Sequence, residues 1–290
     1  VKITRDSHCK VNLVLNILGR REDGFHELET LFWPVRLYDT LEFSATSGHL
    51  ELTCSHPELP VDGGNLVHKA ATAFYGKLGR APAARIHLEK RLPIAAGIGA
   101  GSANAAATLL GLNELLGKPL GDGDLSALAA GIGSDVPCFL GDAPALGVGR
   151  GEMVTPVEGL PEFKEARMVL YHPGFGVSTP WAYKNLARFP NELNGAPGRV
   201  ARMVDFLRGG EVREIQRHLF NSLEAPVLDK HPILRIYQEF FAEQGAAGTL
   251  MSGSGSTTFA VFESGELAEG AMARFREAFG PSGWLACAEF

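Results

Sequence analysis

The succession of strand-like and helix-like segments along the chain predicts an α+β fold in two domains. Three observations carry it. Strand alternation and helical stripes follow one another over the whole length instead of settling into one class. The chain has 290 residues, enough for two ordinary hydrophobic cores. Midway the pattern breaks at "GDAPALGVGRGEMVTPVEGLPEF", rich in Gly and Pro, which puts a boundary near Met153 and the domains at 1–152 and 153–290.

The first strand is "KVNLVLNIL", where Val11, Leu13, Leu15 and Ile17 alternate with Lys10, Asn12 and Asn16. Period-two alternation sets Lys10 and Asn12 side by side on the face opposite the apolar stripe, as suits two groups reaching into a cleft. "GRREDGFHE" reads as a turn with Asp23-Gly24 at its tip, and "RRED" as its solvated end. Strands follow at "LEFSA", "LELTC" and "ARIHLEK", with a helix at "NLVHKAATAFYGKL" striped by Leu66, Ala70, Ala73 and Phe74. "NAAATLLGLNELLG" is a helix apolar on most sides, hence buried, that stops at Gly117 with Pro119 beyond. A short helix starts after Asp124 and ends near Gly131. "GSDVPCFL" then leads Asp135 out of a glycine turn into an apolar strand.

The second half opens on a strand, "ARMVLYHPG", followed by a helix at "PWAYKNLARF" and a polar link, "PNELNGAPG". Of the two or three helices that follow, "ILRIYQEFFAEQGA" is the clearest, striped by Ile233, Ile236, Tyr237, Phe240 and Phe241. "GTLMSGSGSTTFAVFE" reads strand, glycine loop, strand; "ELAEGAMARFREAF" is an amphipathic helix; "WLACAEF" is a last strand. There is no repeat of solenoid period.

Composition narrows the function. A formal charge of −6 argues against a dominant nucleic-acid or anionic-membrane surface and favours a small-molecule partner. Cys9, Cys54, Cys138 and Cys287 lie far apart with no metal-site spacing and read as reduced thiols. "VKITRDSHCK" carries no apolar signal region, so the cytoplasm is the expected compartment. No charge falls between Arg91 and Glu114, but Pro93, the glycines, Ser102 and Asn104 break up that hydrophobic run, so a buried loop and helix is expected there instead of a membrane span.

That run contains "PIAAGIGAGSANAA", a glycine-rich turn feeding directly into helix-forming residues. Such a turn offers unpaired N–H groups and the positive end of the helix dipole, for which phosphate is the natural guest. Bare glycines let phosphate oxygens approach to about 3 Å; a small-residue loop for close helix packing is the other reading. The P-loop spelling GxxxxGK[ST] occurs nowhere, and GxGxxG fails because Ser102 follows Gly97-Ile98-Gly99 at the last position.

A second loop, "SGSGST" from Ser252 to Thr257, changes the weighing. Taken in order with Lys10 and with Asp135 after "GIGS", the two loops resemble the motif set of the GHMP kinases, the superfamily named for galactokinase, homoserine kinase, mevalonate kinase and phosphomevalonate kinase. "CKVNLVLNILGRREDGFHELETLF", "LPIAAGIGAGSANAAA", "GSDVPCFL" and "LMSGSGSTTFAVF" resemble the branch of that family whose substrate is a cytidine diphosphate conjugate of methylerythritol. "DGFH" discriminates, since the other branches lack it. The resemblance implies the two-domain GHMP kinase fold, with an N-terminal domain like domain 2 of ribosomal protein S5 and a C-terminal ferredoxin-like domain. It implies that ATP, with Mg²⁺, phosphorylates the 2-hydroxyl of the methylerythritol moiety to give the 2-phosphate and ADP, in the non-mevalonate route to isoprenoid precursors.

The same resemblance implies the roles. Asp135 is the catalytic base and Lys10 the cation that keeps it ionised and steadies the transferring phosphoryl group. Phe25 and Tyr183 stack on the cytosine, His26 hydrogen-bonds it, and Asn12 and Thr179 face the substrate. Pro93, Gly97, Gly99, Gly101 and Ser102 hold the ATP phosphates, Asn65 and Lys90 lie near the adenosine, and Gly253, Ser254 and Gly255 close the site. Phe25 departs from the family's commoner Tyr, and Ala95, Ala100 and Ala103 stand where Gly or Ser is frequent. The Mg²⁺ ligands and the oligomeric state are not legible. Two other functions stay open: a sister kinase for a small alcohol such as homoserine or mevalonate, which has no use for "DGFH", and a non-catalytic nucleotide-binding protein of the same fold, against which Lys10 and Asp135 together speak.

Overall fold

The computed structural model describes residues 2–290 and contains most of the strands and helices that the pattern predicts, with a helix at Pro190–Leu193 inside the expected polar link and a strand at His26–Ala45 much longer than "LEFSA". In chain order they are β1 (Lys2–Arg20), β2 (His26–Ala45), β3 (Leu50–Cys54), α1 (Leu66–Lys77), β4 (Ala84–Glu89), α2 (Ala100–Leu115), α3 (Asp122–Ile132), β5 (Ala145–Gly149) and β6 (Met153–Pro156). Then come β7 (Arg167–His172), α4 (Thr179–Leu186), α5 (Pro190–Leu193), α6 (Arg199–Arg208), β8 (Phe220–Asn221), α7 (Glu224–Lys230), α8 (Ile233–Glu243), β9 (Gly248–Met251), β10 (Thr258–Phe262), α9 (Gly265–Phe279) and β11 (Trp284–Glu289). They form two compact units. One takes in the chain up to Cys9, Leu37–Leu92 and Gly99–Asp142; the other takes in Lys10–Arg36, Pro93–Ile98 and Ala143–Phe290.

In the first unit the end of β2 pairs antiparallel with β4, Thr40 facing Glu89 and Ala45 facing Ala84, and β3 lies parallel on the other side of β4. Helix α2 packs against α1 and α3. It is buried on most sides, as its composition predicts: Ala103, Ala105, Ala106, Leu109 and Leu112 are all enclosed. At Gly111 a Cβ would run into the ring of Phe43, so the bare backbone lets the helix lie close on that strand. Asp135 leads into a 3-10 turn, Pro137–Leu140, where a strand was expected. Pro137 has no N–H to give to a ladder, and the turn bonds Val136 N–H to Gly133 O and Phe139 N–H to Val136 O bend the chain instead.

In the second unit β7, β9, β10 and β11 form an antiparallel sheet in the order β11-β7-β10-β9. With α8 ahead of β9 and α9 ahead of β11, this is the ferredoxin-like β-α-β-β-α-β arrangement. Its core is aromatic: Phe241 stacks on Phe275 at 4.8 Å and Tyr171 lies 4.5 Å from Phe275. The inward stripe of α8 is Leu234, Tyr237 and Phe241, while Ile236 is exposed. Of the expected stripe only Ile236 turns outward; Ile233 and Phe240 are partly buried against the core.

Also in the second unit, Leu28–Phe32 of β2 pairs with β5, and β5 with β6, so the Gly- and Pro-rich segment is partly a hairpin. Glycine stands in β5 because a Cβ on Gly147 would meet the ring of Phe32 at 2.6 Å. β8 lies parallel to β1, Val14 facing Phe220 and Leu15 facing Asn221. Cys9 and Cys138 are buried, and Cys54 and Cys287 half-buried. Among the described residues no helix is long and apolar enough to cross a membrane.

Candidate active site

The predicted residues fall into two sets, one in each unit. In the second unit β1 is buried on both faces, so the polar alternation of Lys10, Asn12 and Asn16 marks a closed interior and not a solvated face. Lys10, 4% exposed, donates from Nζ to Asn12 Oδ1 at 2.7 Å. Asn12 Nδ2 donates to Thr30 Oγ1 at 2.7 Å, and Thr30 passes its own proton to Val14 O at 2.6 Å. Because an ammonium only donates, this chain fixes which end of the Asn12 amide faces Lys10. The ring of Phe32, 5.3 Å from Nζ, lines the cation's side. Thr30 has no sequence signal of its own: its partner strand lies beyond the hairpin.

The two glycine loops meet within this unit. Lys10 N–H donates to Ile98 O at 3.0 Å, Ser252 Oγ to Gly97 O at 3.0 Å, and Thr257 N–H to Ala96 O at 3.2 Å. A Cβ on Gly97 would strike Ser252 O and lie 2.9 Å from Gly255 N; one on Gly253 would lie 2.7 Å from Gly97 O. Both glycines also have positive φ, 79° and 56°. Only glycine lets two backbones touch in this way. Ser254 is buried at the loop and shares a hydrogen bond of 2.8 Å with Thr179 Oγ1, at the start of α4.

The hairpin tip carries the residues expected to meet cytosine. Phe25 N–H donates to Asp23 Oδ1, Arg21 N–H to Phe25 O, and the Arg21 guanidinium pairs with Asp23 and Glu27, so "RRED" braces the tip as well as solvating it. Phe25 is 52% exposed, with the Arg150 guanidinium 4.7 Å over its ring. His26 lies 5.0 Å from Tyr183 of α4, ring to ring. Burial, and after it the charge of Arg20, holds the His26 imidazole below its ordinary pKa, so it is neutral at pH 7.

In the first unit α2 starts at Gly99, whose φ of 70° turns the chain and whose position brings no side-chain cap. The first-turn N–H groups are therefore left without one. Unlike Gly97, Gly101 has room: a Cβ there would meet only Leu66 Cδ1, at 3.6 Å. Ser102 is half-buried on the same turn. Asp135, also half-buried, sits in the turn after α3.

Asn65 and Lys90 have their polar groups engaged within the fold. Asn65 caps α1, accepting from Val67 N–H and donating to Pro60 O. Lys90 Nζ is 2.6 Å from Asp39 Oδ2 and 2.8 Å from Leu92 O, with both side chains of the ion pair all but closed off. Asp39 also accepts from the backbone of Arg91 and Leu92 and from Asn104 Nδ2 on α2, so it ties the approach to the first loop to that helix. A single Asp in "RLYDTLEF" gives no spacing by which to foresee this.

The GHMP kinases N terminal domain family matches residues 65–150 and the GHMP kinases C terminal family residues 203–280. The chain is 40% identical over 280 residues to a 4-diphosphocytidyl-2-C-methyl-D-erythritol kinase of Chlorobium phaeobacteroides (strain BS1), covering 96% of this chain and 95% of that one. It is 37% identical over 278 residues to the protein of that name from Acaryochloris marina (strain MBIC 11017), covering 92% and 89%. A crystal structure of a 4-(cytidine 5'-diphospho)-2C-methyl-D-erythritol kinase superposes with a TM-score of 0.79 at 34% identity, covering 99% of this chain and all of that one.

Proposed function

We propose that this chain, which belongs to the 4-diphosphocytidyl-2-C-methyl-D-erythritol kinase family of the GHMP kinases, transfers the terminal phosphoryl group of ATP to the 2-hydroxyl of 4-diphosphocytidyl-2-C-methyl-D-erythritol. One observation carries the substrate. The half-exposed Phe25 and neutral His26 lie on a braced hairpin, and Tyr183, far away in the chain, is packed against that histidine. An aromatic face and a neutral imidazole beside each other suit a pyrimidine base, and a kinase of homoserine or mevalonate has nothing to stack there.

The chemistry follows from residue types and surroundings. The uncapped first turn of α2, with Gly99, Gly101 and Ser102, receives the ATP phosphates; the spare room at Gly101 supports a role for its bareness other than packing. Pro93 and Gly97 shape the approach, and Gly253, Ser254 and Gly255 hold it from the second loop. Asp135 takes the proton of the 2-hydroxyl as that oxygen bonds to the terminal phosphorus, and the bond to the bridging oxygen breaks to release ADP. Such proton transfer contributes about 10² to 10⁴ in rate. Lys10, oriented by Asn12 and Thr30 in surroundings of low polarity, acts strongly on the charge that develops on the phosphoryl oxygens. Asn12 and Thr179 meet the methylerythritol. Asn65 and Lys90 act on the nucleotide through the helix and loop they brace. Mg²⁺ is assigned as the companion of ATP from the chemistry of phosphoryl transfer; among the described residues no group of three His, Cys, Asp or Glu side chains is placed to hold a metal ion. The two domains are assigned to 1–152 and 153–290, one family match falling in each, at 65–150 and 203–280, although the compact units divide the first of them differently. The product belongs to the non-mevalonate route.

The test is ADP release with Mg-ATP and the cytidyl substrate, beside homoserine and mevalonate and beside Asp135→Asn. Turnover of the cytidyl substrate alone, falling by about 10² or more in the variant, is the expected result. Turnover of another alcohol with none of the cytidyl compound overturns the substrate; an active Asp135→Asn overturns the base.

A further inference from the structure

β9 is an edge strand of its sheet, so its outward N–H and C=O groups need partners from outside the ladder. Side chains supply them. Gln216 accepts from Thr249 N–H at 2.7 Å, and Glu224 of α7 accepts from Met251 N–H at 2.8 Å while taking a second bond from Gln238. Asn221, 4% exposed, donates from Nδ2 to Met251 O and to Gly253 O, both at 2.8 Å, and accepts at Oδ1 from Leu223 N–H. All its bonding groups are engaged. An aspartate in its place would set a carboxylate against two carbonyls.

What distinguishes Asn221 from Gln216 is where its bonds end. Gln216 reaches the middle of the strand; Asn221 reaches into the second glycine loop, and Gly253 is the residue whose Cα abuts Gly97 O. At its other end Asn221 belongs to β8, which pairs with β1 at Val14–Phe220 and Leu15–Asn221, and the next residue holds β1 as well, Ser222 N–H donating to Leu15 O at 2.8 Å and Ile17 N–H to Ser222 Oγ at 3.0 Å. β1 also carries Lys10 and Asn12, and its Lys10 N–H holds Ile98 O of the first loop. A continuous rigid path therefore runs from the strand of Lys10 through Asn221 to the second glycine loop and back through Gly97. We propose that Asn221, backed by Glu224, is a positioning residue for phosphoryl transfer, setting the second glycine loop in register with Lys10. This rests on the kinase reading above.

The experiment compares Asn221→Ala with Gln216→Ala, which removes a bond from the same strand edge but none from the loop. Thermal melting, binding of Mg-ATP by titration calorimetry, and kcat and KM for both substrates are measured for each and for the unaltered protein. Both variants are expected to lose similar stability. Asn221→Ala should lower kcat tenfold or more with the KM of the cytidyl substrate within twofold, while Gln216→Ala keeps its kcat. Equal kcat for the two variants, or an unchanged kcat in Asn221→Ala, overturns the proposal. Should Asn221→Ala not fold, Asn221→Ser, which keeps a small polar group but cannot span to both Met251 O and Gly253 O, carries the same expectation, and a kcat in it equal to that of Gln216→Ala overturns the proposal equally. An unaltered protein that binds Mg-ATP but turns over no cytidyl compound overturns the substrate reading alone, and the variants are then compared on Mg-ATP binding, which Asn221→Ala should weaken tenfold and Gln216→Ala leave unchanged.

Discussion

The residues from Pro93 to Ser102 look uniform in sequence but divide into two regions that use glycine for opposite reasons. At Gly97 the missing Cβ is filled by other backbone: Ser252 O and Gly255 lie where it would stand. At Gly101 the space is open, with a side-chain methyl at ordinary contact distance. One glycine is needed for the fold to close and the other is left bare on a fold that does not need it. The difference separates a glycine that the packing requires from one that it does not, by geometry, which spelling alone does not achieve.

The sharpest way to break this comparison is to add one methyl group at each place. Gly97→Ala should be the most damaging change, because it combines a backbone collision with a φ of 79° that L-residues disfavour by roughly 1–2 kcal/mol. With overpacking of about 1–3 kcal/mol added, thermal melting should show a large loss of stability, and turnover should fall with it. Gly101→Ala should go the other way in stability. Alanine in a helix is favoured over glycine by up to about 1 kcal/mol, so the melting temperature should rise or hold, while Mg-ATP affinity falls about tenfold, or ~1.4 kcal/mol. If Gly101→Ala binds Mg-ATP normally, the open space at Gly101 has no phosphate to serve.

Sequence pattern and composition recover most elements because burial here follows simple rules: β1 alternates, α1 keeps a helical stripe, and α2 is apolar on most sides as its enclosure requires. They fail where hydrophobicity and direction part, as at Ile236, exposed on α8, and where a single residue changes the backbone, as Pro137 does after Asp135. The candidate site is legible in its repeated spellings; its supports are not. Thr30, Asp39, Asn221 and Glu224 are single polar residues whose partners lie on other elements, and no spacing along one segment can announce a bond to another. Lys10 and Lys90 make the point directly. Both are buried lysines in strand-like surroundings, yet one sits against the Asn12 amide and the other in an ion pair with Asp39. Their partners, which only the fold supplies, set what each can do.

The packed region also contains the smaller effect by which acid should tell it from the open one. His172 of β7 is buried beneath the second loop, its Nδ1 3.3 Å from Ser256 Oγ and 3.5 Å from Thr257 Oγ1, and burial lowers its pKa from the ordinary histidine value. The unfolded chain binds this proton more readily than the folded one, so stability from the neutral ring is fully present above about pH 6.5 and is lost as pH falls through the lowered folded pKa. His172→Gln keeps hydrogen-bonding capacity without the titration, and its unfolding free energy should decline less steeply than that of the unaltered protein between about pH 6.5 and 5. His26, whose pKa burial also lowers, adds a slope in the same range that the variant retains. Only the difference between the two proteins therefore reports on the second loop, and parallel curves would show that folding leaves the His172 pKa where it stands in the unfolded chain.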